Sequence, residues 1–554
     1  MKKIFSLMAA AMLTTAATAQ ETYDNAPLAQ KDLNGTARYV GMGGAMEALG
    51  ADISTMGTNP AGIGMFRRSV INGSFGFSSQ SDAEEFNGAD KTKMSFDQAG
   101  FVYSMRSGRS SFVNFGFTYN KSRNFNQILT AAGRLNGASQ NKLSGMKNYN
   151  GIYKLHSNKD GKLSSPDVAC SQLDYLYSNV ILGDGNSILV DKDGNMIGDN
   201  TDGFLIRKDG TSPTFYNATD YSFGRESSGY IGEYNFNISG NSNDRFYWGL
   251  TFGLYDVHYD ATTRYTENLV DGSNSIGSVT LNDRRKITGS GFDVKAGIIF
   301  RPVEESPFRV GLYVHTPTWY DLTSKNYTRL DNNLKKNQDD PSQSYGAYDY
   351  GDINEAYDFK FYTPWRFGAS IGHTVGNYLA LGATYEYADY STSDIRINDG
   401  GTIDYWGNYY DESHSDEAMK QNIKQSLKGV HTLKLGMEFK PERNWAVRLG
   451  YNYVSPMYNT EGLKDGTIDS YGTYYSSTTD YTNWKATNRI TAGVGYSCRN
   501  WTIDLAYQYS QTDGDFYPFR GYVDNEKKEY NNVCDAVKVS NKRNQLLLTL
   551  GYKF

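Results

Sequence analysis

Apolar and polar residues alternate with a period of two along much of this chain. In Trp501–Tyr509, positions 501, 503, 505, 507 and 509 are apolar or aromatic, with Thr502, Asp504, Ala506 and Gln508 between them. Successive side chains of a β-strand point to opposite faces, so the pattern predicts a strand with one apolar face. Trp445, Val447, Leu449, Tyr451 and Tyr453 repeat it, as do Phe292, Val294, Ala296, Ile298 and Phe300. The same reading gives fourteen strands, at 67–79, 95–105, 111–122, 227–239, 245–259, 288–301, 307–317, 363–373, 378–390, 430–440, 445–454, 488–498, 501–511 and 544–554. The gaps between them alternate. Those at 107–109, 240–244, 302–306, 375–377, 441–444 and 499–500 are short, whereas 123–226, 318–362, 391–429, 455–487 and 512–543 are long. Short turns at one end and long loops at the other mark a transmembrane barrel; a soluble sandwich has no reason to segregate them. The expected fold is all-β: an antiparallel barrel of about fourteen strands spanning a bacterial outer membrane, in contact with its lipids.

The last strand supports this. Leu546, Leu548, Leu550, Tyr552 and the terminal Phe554 share one face. An amphipathic strand closing on Phe resembles the signal read by the barrel-insertion machinery, an expected partner during biogenesis.

The mean hydropathy of −0.60 and the lack of an apolar run of 18 residues exclude a membrane helix. They leave a barrel open, because half of each strand faces a polar lumen. At the start, Lys2 and Lys3, the apolar run Ile4–Leu13 and Ala17-Thr18-Ala19 predict a secretory signal peptide over 1–19, with Gln20 as the first mature residue. The net charge of −6 argues against a nucleic-acid partner. Cys170, Cys498 and Cys534 allow at most one disulfide and no cysteine-rich metal scaffold.

Residues 20–66 precede the first strand and do not alternate. They contain Arg38, then Gly41-Met-Gly43-Gly-Ala45, and the run Asn59-Pro60-Ala61-Gly62. Gly41-x-Gly43 is no dinucleotide loop, since position 46 is Met and no strand precedes it. Glycines here suit a compact segment bending in a confined space. The order R-x-x-G-M-G-G-A, then N-P-A-G, just before the first strand, resembles the FadL-type outer-membrane transport family. Thr363-Pro-Trp-Arg-Phe-Gly368 and Asn488-Arg-Ile-Thr-Ala-Gly493 resemble strand starts of that family. The resemblance implies a monomeric fourteen-stranded barrel whose lumen is plugged by an N-terminal hatch, here 20–66, with the barrel over 67–554. It also implies passive uptake of hydrophobic compounds, long-chain fatty acids or aromatic molecules, captured among the external loops. Cargo then leaves sideways through an opening at a kink of the third strand, for which Gly116 is the candidate position. The long polar loop over 123–226 departs from the family pattern. It motivates one alternative, a surface docking barrel for secreted proteins; a haem-binding receptor, with His315 or His431 of the strands as ligand, is another.

Among lumen-facing positions, Asp293, Lys295, Arg366, Glu386, Lys434, Glu438, Arg448 and Asp504 carry charge of both signs. They either pair to hold strands and hatch together, or Arg366 or Arg448 anchors a ligand carboxylate. Gly401–Tyr410 and Gly466–Tyr475 agree at seven of ten positions and read as extended hairpins or as an aromatic lip for a ligand. Asp191-Lys-Asp-Gly-Asn195, with Asp199 and Asp202, lacks the spacing and closing Glu of a calcium loop and reads as a solvated turn. The six His show no metal spacing, and no Ser/His/Asp cluster stands in a catalytic context. No catalytic residue, metal or cofactor is expected.

Overall fold

The computed structural model describes residues 21–554 except 160, 183–186, 199–200, 336–345, 351–355, 404, 408, 477 and 525–526. The expected signal peptide, Gln20, Asp199 and part of the Gly401–Tyr410 repeat lie outside the described residues. Before the barrel come two short helices, α1 (Thr22–Asn25) and α2 (Ala37–Gly41). The wall follows: β1 (Val70–Ser81), β2 (Thr92–Arg106), β3 (Phe112–Asn124, resuming over Gln127–Arg134), β4 (Asn217–Ser242), β5 (Phe246–Asp271) and β6 (Asn274–Phe300). Three strands then run in two pieces: β7 (Arg309–His315 and Trp319–Asn332), β8 (Ala356–Tyr362 and Arg366–Val375) and β9 (Leu379–Asp389 and Asp394–Ile403). The last five are β10 (Gly429–Glu442), β11 (Trp445–Val454), β12 (Tyr481–Cys498), β13 (Trp501–Tyr517) and β14 (Val537–Lys553). Each pairs antiparallel with the next, and β14 pairs with β1 from Val70↔Lys553 to Ser81↔Lys542. The sheet is closed, with fourteen strands around it.

The wall is inside out relative to a soluble sandwich. On β13, Trp501, Ile503, Leu505 and Tyr507 are 57, 46, 44 and 45% exposed, whereas Ala506 and Asp504 are 1 and 9% exposed. Large apolar side chains point outward on the other strands too, among them Ile71, Phe101, Leu250, Leu312, Leu435 and Leu546. Trp248, Trp445 and Trp501 border this band at the short-turn end, the last two packed on Tyr496 and Tyr552. Trp365 and Tyr385 border it at the other end. Six to eight residues separate the borders, about 20–27 Å along a strand, which matches the apolar band of a membrane barrel. Leu505→Arg, at mid-band, is therefore expected to destabilise the barrel by about 2–4 kcal/mol. Urea titration of folding into lipid vesicles reads that loss directly.

The ten-residue strands expected at several places are much longer. β4, β5 and β6 have 26, 26 and 27 residues, about 90 Å at strand rise. They climb far beyond the band, and β5 and β6 meet in a tight turn at Gly272, where φ is +58°. The sequence pattern stops at the membrane border because there the outer face turns polar and the inner face apolar. Tyr221, Phe223, Tyr265, Leu269, Leu281 and Leu330 are buried inside this outer collar.

What fills the collar is the loop between β3 and β4, shorter than the expected 123–226 because both strands extend into that range. The described residues of 135–216 fold into a cap with α3 (Gln140–Tyr149), α4 (Gln172–Tyr177) and two small hairpins. Leu143, Tyr153, Leu173 and Tyr177 pack on the apolar wall of β4–β7. Fully burying such a side chain contributes about 1.5–3 kcal/mol, so the cap is a docked unit. Its anchor is Glu267 of β5, which accepts from the Ser139 hydroxyl (2.9 Å) and from the Gln140 N–H (3.0 Å) at the start of α3. The Asp191 carboxylate accepts from the N–H groups of Asp193 and Asn195, an Asx turn.

All three cysteines are free. Cys170 is buried in the cap core, where desolvation pushes its thiol well up; Cys534 is half-buried and pushed up to about 11, again by burial. Cys498 is exposed beside the β12–β13 turn. Because the thiolate is the reactive form, maleimide at neutral pH is expected to label Cys498 first and Cys170 only after unfolding. Mass spectrometry of timed samples checks the order; early labelling of Cys170 would mean that the cap is not docked.

Candidate functional site

Residues 21–66 fill the lumen as a hatch built from short capped turns. The Thr36 hydroxyl accepts from the Tyr39 N–H and caps α2, and donates to the Asp52 carboxylate (2.8 and 2.9 Å). Asp52 caps the 3₁₀ turn Ile53–Gly57. Asn59 caps Pro60–Met65, its side-chain oxygen accepting from the Ala61 N–H at 3.2 Å, with Pro60 in the first-turn position that needs no N–H.

The barrel receives this segment through a track of glycines. Gly249 and Gly297 are directly opposed on β5 and β6, and Gly311 of β7 stands opposite Ile299, two residues along β6. Gly372, Gly382, Gly436 and Gly450 are opposed in the same way on β8 to β11. A Cβ on Gly297 would stand 2.0 Å from Asn59 Oδ1, and one on Gly249 would stand 2.3 Å from the Pro60 carbonyl carbon. On Gly436 it would stand 2.3 Å from Met42 O, and on Gly450 2.1 Å from Gly43 N. Asn59 is fully buried and its amide donates to Glu47 O (3.0 Å) and Ile298 O (3.4 Å). Gly43 lies at φ +62°, a conformation other residues rarely adopt. The Thr491 hydroxyl accepts from its N–H and donates to Gly41 O, both at 3.1 Å. Gly62 abuts Thr55 Oγ1, where a Cβ would fall 2.6 Å away. Asn59, Pro60, Ala61, Gly62, Gly41 and Gly43 are thus the hatch's contact surfaces. The glycine track itself was not read from the sequence, although its members sit at lumen-facing positions of the alternation.

The lumen charges pair. Arg38 and Arg448 share Glu438 (3.0 and 2.7 Å), and Arg448 also holds Asp504 at 2.6 Å. Lys295 contacts Asp293 (2.5 Å) and Glu233 (3.1 Å), and Arg366 holds Glu386 at 2.5 Å. Of the two open readings, pairing describes Arg366 and Arg448. Two buried hatch–wall partners were missed. Glu233 also takes Lys31 of the hatch (3.4 Å), and Glu47 of the hatch accepts from Lys434 Nζ (2.8 Å), Thr384 Oγ1 (2.7 Å) and Tyr39 OH (3.0 Å). Glu233 occupies an ordinary lumen-facing position of β4 and Glu47 lies in a segment without alternation, so no local pattern marks either. His315 Nε2 lies 2.6 Å from the hatch carbonyl of Thr58, and His431 meets Tyr385.

Gly116 is not where the third strand breaks. It pairs in unbroken register with Val102 of β2 and Asn237 of β4, and its missing Cβ makes room for Met56 of the hatch, which a Cβ would meet at 2.1 Å. The irregularity comes later, between Lys121 and Arg123, and the strand is interrupted at 125–126. Pairing of β2 with β3 ends at Gln98↔Asn120, so Thr92–Asp97 of β2 run on beyond the last β3 pair. The hatch takes up the freed groups: Asp32 N–H donates to Ser122 O (2.8 Å), Asn34 Nδ2 to Lys121 O (3.0 Å), and Asn124 N–H to Asp32 Oδ2 (2.9 Å). Arg543 of β14 donates to the carbonyls of Asn124 and Asn126 on either side of the break.

A cavity of about 320 Å³ lies beside this break, between the first hatch residues and the wall. The start of the hatch borders it. Tyr23 stacks on Tyr458 with ring centres 4.9 Å apart, Thr22 donates to Asn422 of α5 (Glu417–Ser426) at 2.6 Å, and Lys464 holds Glu21 at 2.8 Å. Burial lowers the Lys464 ammonium to about 8. Arg366, Glu386 and Lys434 reach the cavity, whereas Arg448, Asp293 and Lys295 do not line it.

No family model matches this chain, and no curated protein matches it. Solved structures similar to it over nearly its whole length include a Pseudomonas aeruginosa FadL homologue (TM-score 0.46, 12% identity, covering 95% of this chain and 100% of that one). The Ralstonia pickettii toluene transporter TbuX gives 0.45 and 12%, covering 94% and 99%. The CymD monoaromatic hydrocarbon channel gives 0.47 and 11%, covering 94% and 98%. The barrel, its closure and its plugged lumen rest on the register and contacts given above, and these similar structures stand beside them.

Proposed function

We propose that this protein is a bacterial outer-membrane channel for the passive entry of small hydrophobic or amphipathic molecules. The observation that carries the reading is the end of β2–β3 pairing at Gln98↔Asn120, directly beside a cavity between the seated hatch and the wall. Cargo reaches the cavity from the outer loops and leaves through the wall where the strands part, so the plugged lumen need not open. The motif Asn59-Pro60-Ala61 and the similar structures, whose names include toluene and monoaromatic hydrocarbon transport, support the same reading. Expression in cells lacking their own channel should raise uptake of some of a panel of fatty acids and aromatic hydrocarbons. Unchanged uptake across the panel would sink the proposal.

The capped collar favours a second reading, a docking platform for secreted proteins. Pull-down from outer membranes that recovers a stoichiometric secreted partner, lost when 135–216 is deleted, would establish it.

A further inference from the structure

The cavity beside the strand break is lined by polar and apolar surface in nearly equal parts, and its charges are unequal. Arg489, Ser510 and Arg543 stand in one rung on β12, β13 and β14, so the two arginines are two strands apart, about 10 Å between backbones. Arg123 faces them from the break. All three guanidinium groups surround one carboxylate, Asp32, which lies 2.8 Å from Arg123 and 3.8 Å from Arg489. The other nearby charges are matched, Lys31 with Glu233 and Lys121 with Asp97. Three cations against one anion leave an excess of two positive charges. Arg489 is 8% exposed, and Arg123 Nε is buried without a hydrogen-bond partner. Among the residues lining the same cavity, the side-chain oxygens of Asn120, Gln508 and Asn541 are also buried acceptors without partners.

Buried charge and buried acceptors cost free energy unless they are matched. A pure hydrocarbon satisfies none of them, and a single carboxylate leaves one charge over. We propose that this end of the cavity binds a dianionic head group bearing hydroxyls, a phosphate monoester of glycerol or a sugar. The planar forks of the arginines match phosphate oxygens, and hydroxyls of the carrier donate to Asn120, Gln508 and Asn541 once these side chains turn toward the cavity. Asp32 holds the arginines together when no such group is present and competes with it when it arrives. The inference rests on the reading of the cavity as the cargo site and narrows the cargo to phosphorylated amphiphiles or their free head groups.

The test is calorimetric titration of the full chain in neutral detergent with three probes: glycerol 3-phosphate, oleoyl lysophosphatidate and oleate. Lysophosphatidate is expected to bind at least tenfold tighter than oleate. Binding of glycerol 3-phosphate as well would show that the free ester suffices; its failure beside tight lysophosphatidate would assign a lipid source. Arg489→Gln or Arg543→Gln should weaken the phosphate probes at least tenfold, and Asp32→Asn should tighten them several-fold. Retained heat-modifiable migration shows that each variant is folded, and Asp32→Asn decides alone if the arginine variants do not fold. Equal affinities for oleate and lysophosphatidate, or phosphate binding unchanged in all folded variants, would overturn the proposal. Hydrophobic uptake is read in cells, so it fails or survives separately from this head-group preference.

Discussion

Replacing Gly450 by Val is expected to turn a plugged barrel into an open one. The new Cβ would stand 2.1 Å from Gly43 N and 2.5 Å from the Met42 carbonyl carbon, both backbone atoms of the hatch. Backbone cannot rotate aside as a flexible side chain can, and Gly43 is already at φ +62°. Overpacking of this kind costs typically about 1–3 kcal/mol, more where nothing can relax. The wall, held by hydrogen bonds on both sides of β11, outlasts the hatch, held by side chains and short turns. Planar-bilayer recording should show a large rise in conductance with heat-modifiable migration kept, and protease should now reach 21–66. Gly73→Val is the control, since its Cβ meets nothing nearer than 4.0 Å. Wild-type conductance in Gly450→Val would mean that the track does not seat the hatch.

Glu47→Ala is expected to cost about 3–5 kcal/mol, the range for breaking a buried ion pair from one side. Glu47 is fully buried and answers Lys434, Tyr39 and Thr384 at once. Removing it leaves the Lys434 ammonium in the hatch interface without its 2.8 Å partner. The double variant Glu47→Leu with Lys434→Met should recover most of the loss, because two apolar groups of similar size need no solvation. Thermal melting of the three proteins, followed by loss of hatch protection, gives the comparison. A double variant as unstable as the single one would refute the charge argument.

The membrane-facing half of the architecture was legible because lipid imposes a strict period. Trp501, Ile503, Leu505 and Tyr507 could be read as one face without knowledge of anything else in the chain. The sign of that face, outward, followed from the segregated loops, and the exposures agree. The collar was not legible for the same physical reason. Above the bilayer, Tyr265 and Leu269 turn inward to meet the cap, so the alternation loses its apolar outer face and only the membrane-level parts of β4, β5 and β6 read as strands. The hatch showed itself through Asn59-Pro60 and its glycines, which are local features. Its partners did not: Gly450, Glu233 and Glu47 join hatch to wall through residues hundreds of positions away. The third-strand break was misplaced because Gly116 looks like a flexible point in sequence, whereas in the fold its role is to admit Met56.

The contacts of the hatch also set an order of assembly. Ala37 N–H donates to Thr549 Oγ1 and Gln545 Nε2 donates to Asn34 Oδ1, across 512 and 511 residues of chain. The segment that precedes every strand can therefore complete its bonds only after the last strand has arrived. Contacts of such span are slow to form, because the intervening chain must be ordered first. Until β14 joins β1, the hatch has no finished surface to rest on, and its residues travel unsheltered beside an unclosed sheet. Seating is then the final event of maturation, so a barrel caught early would be porous.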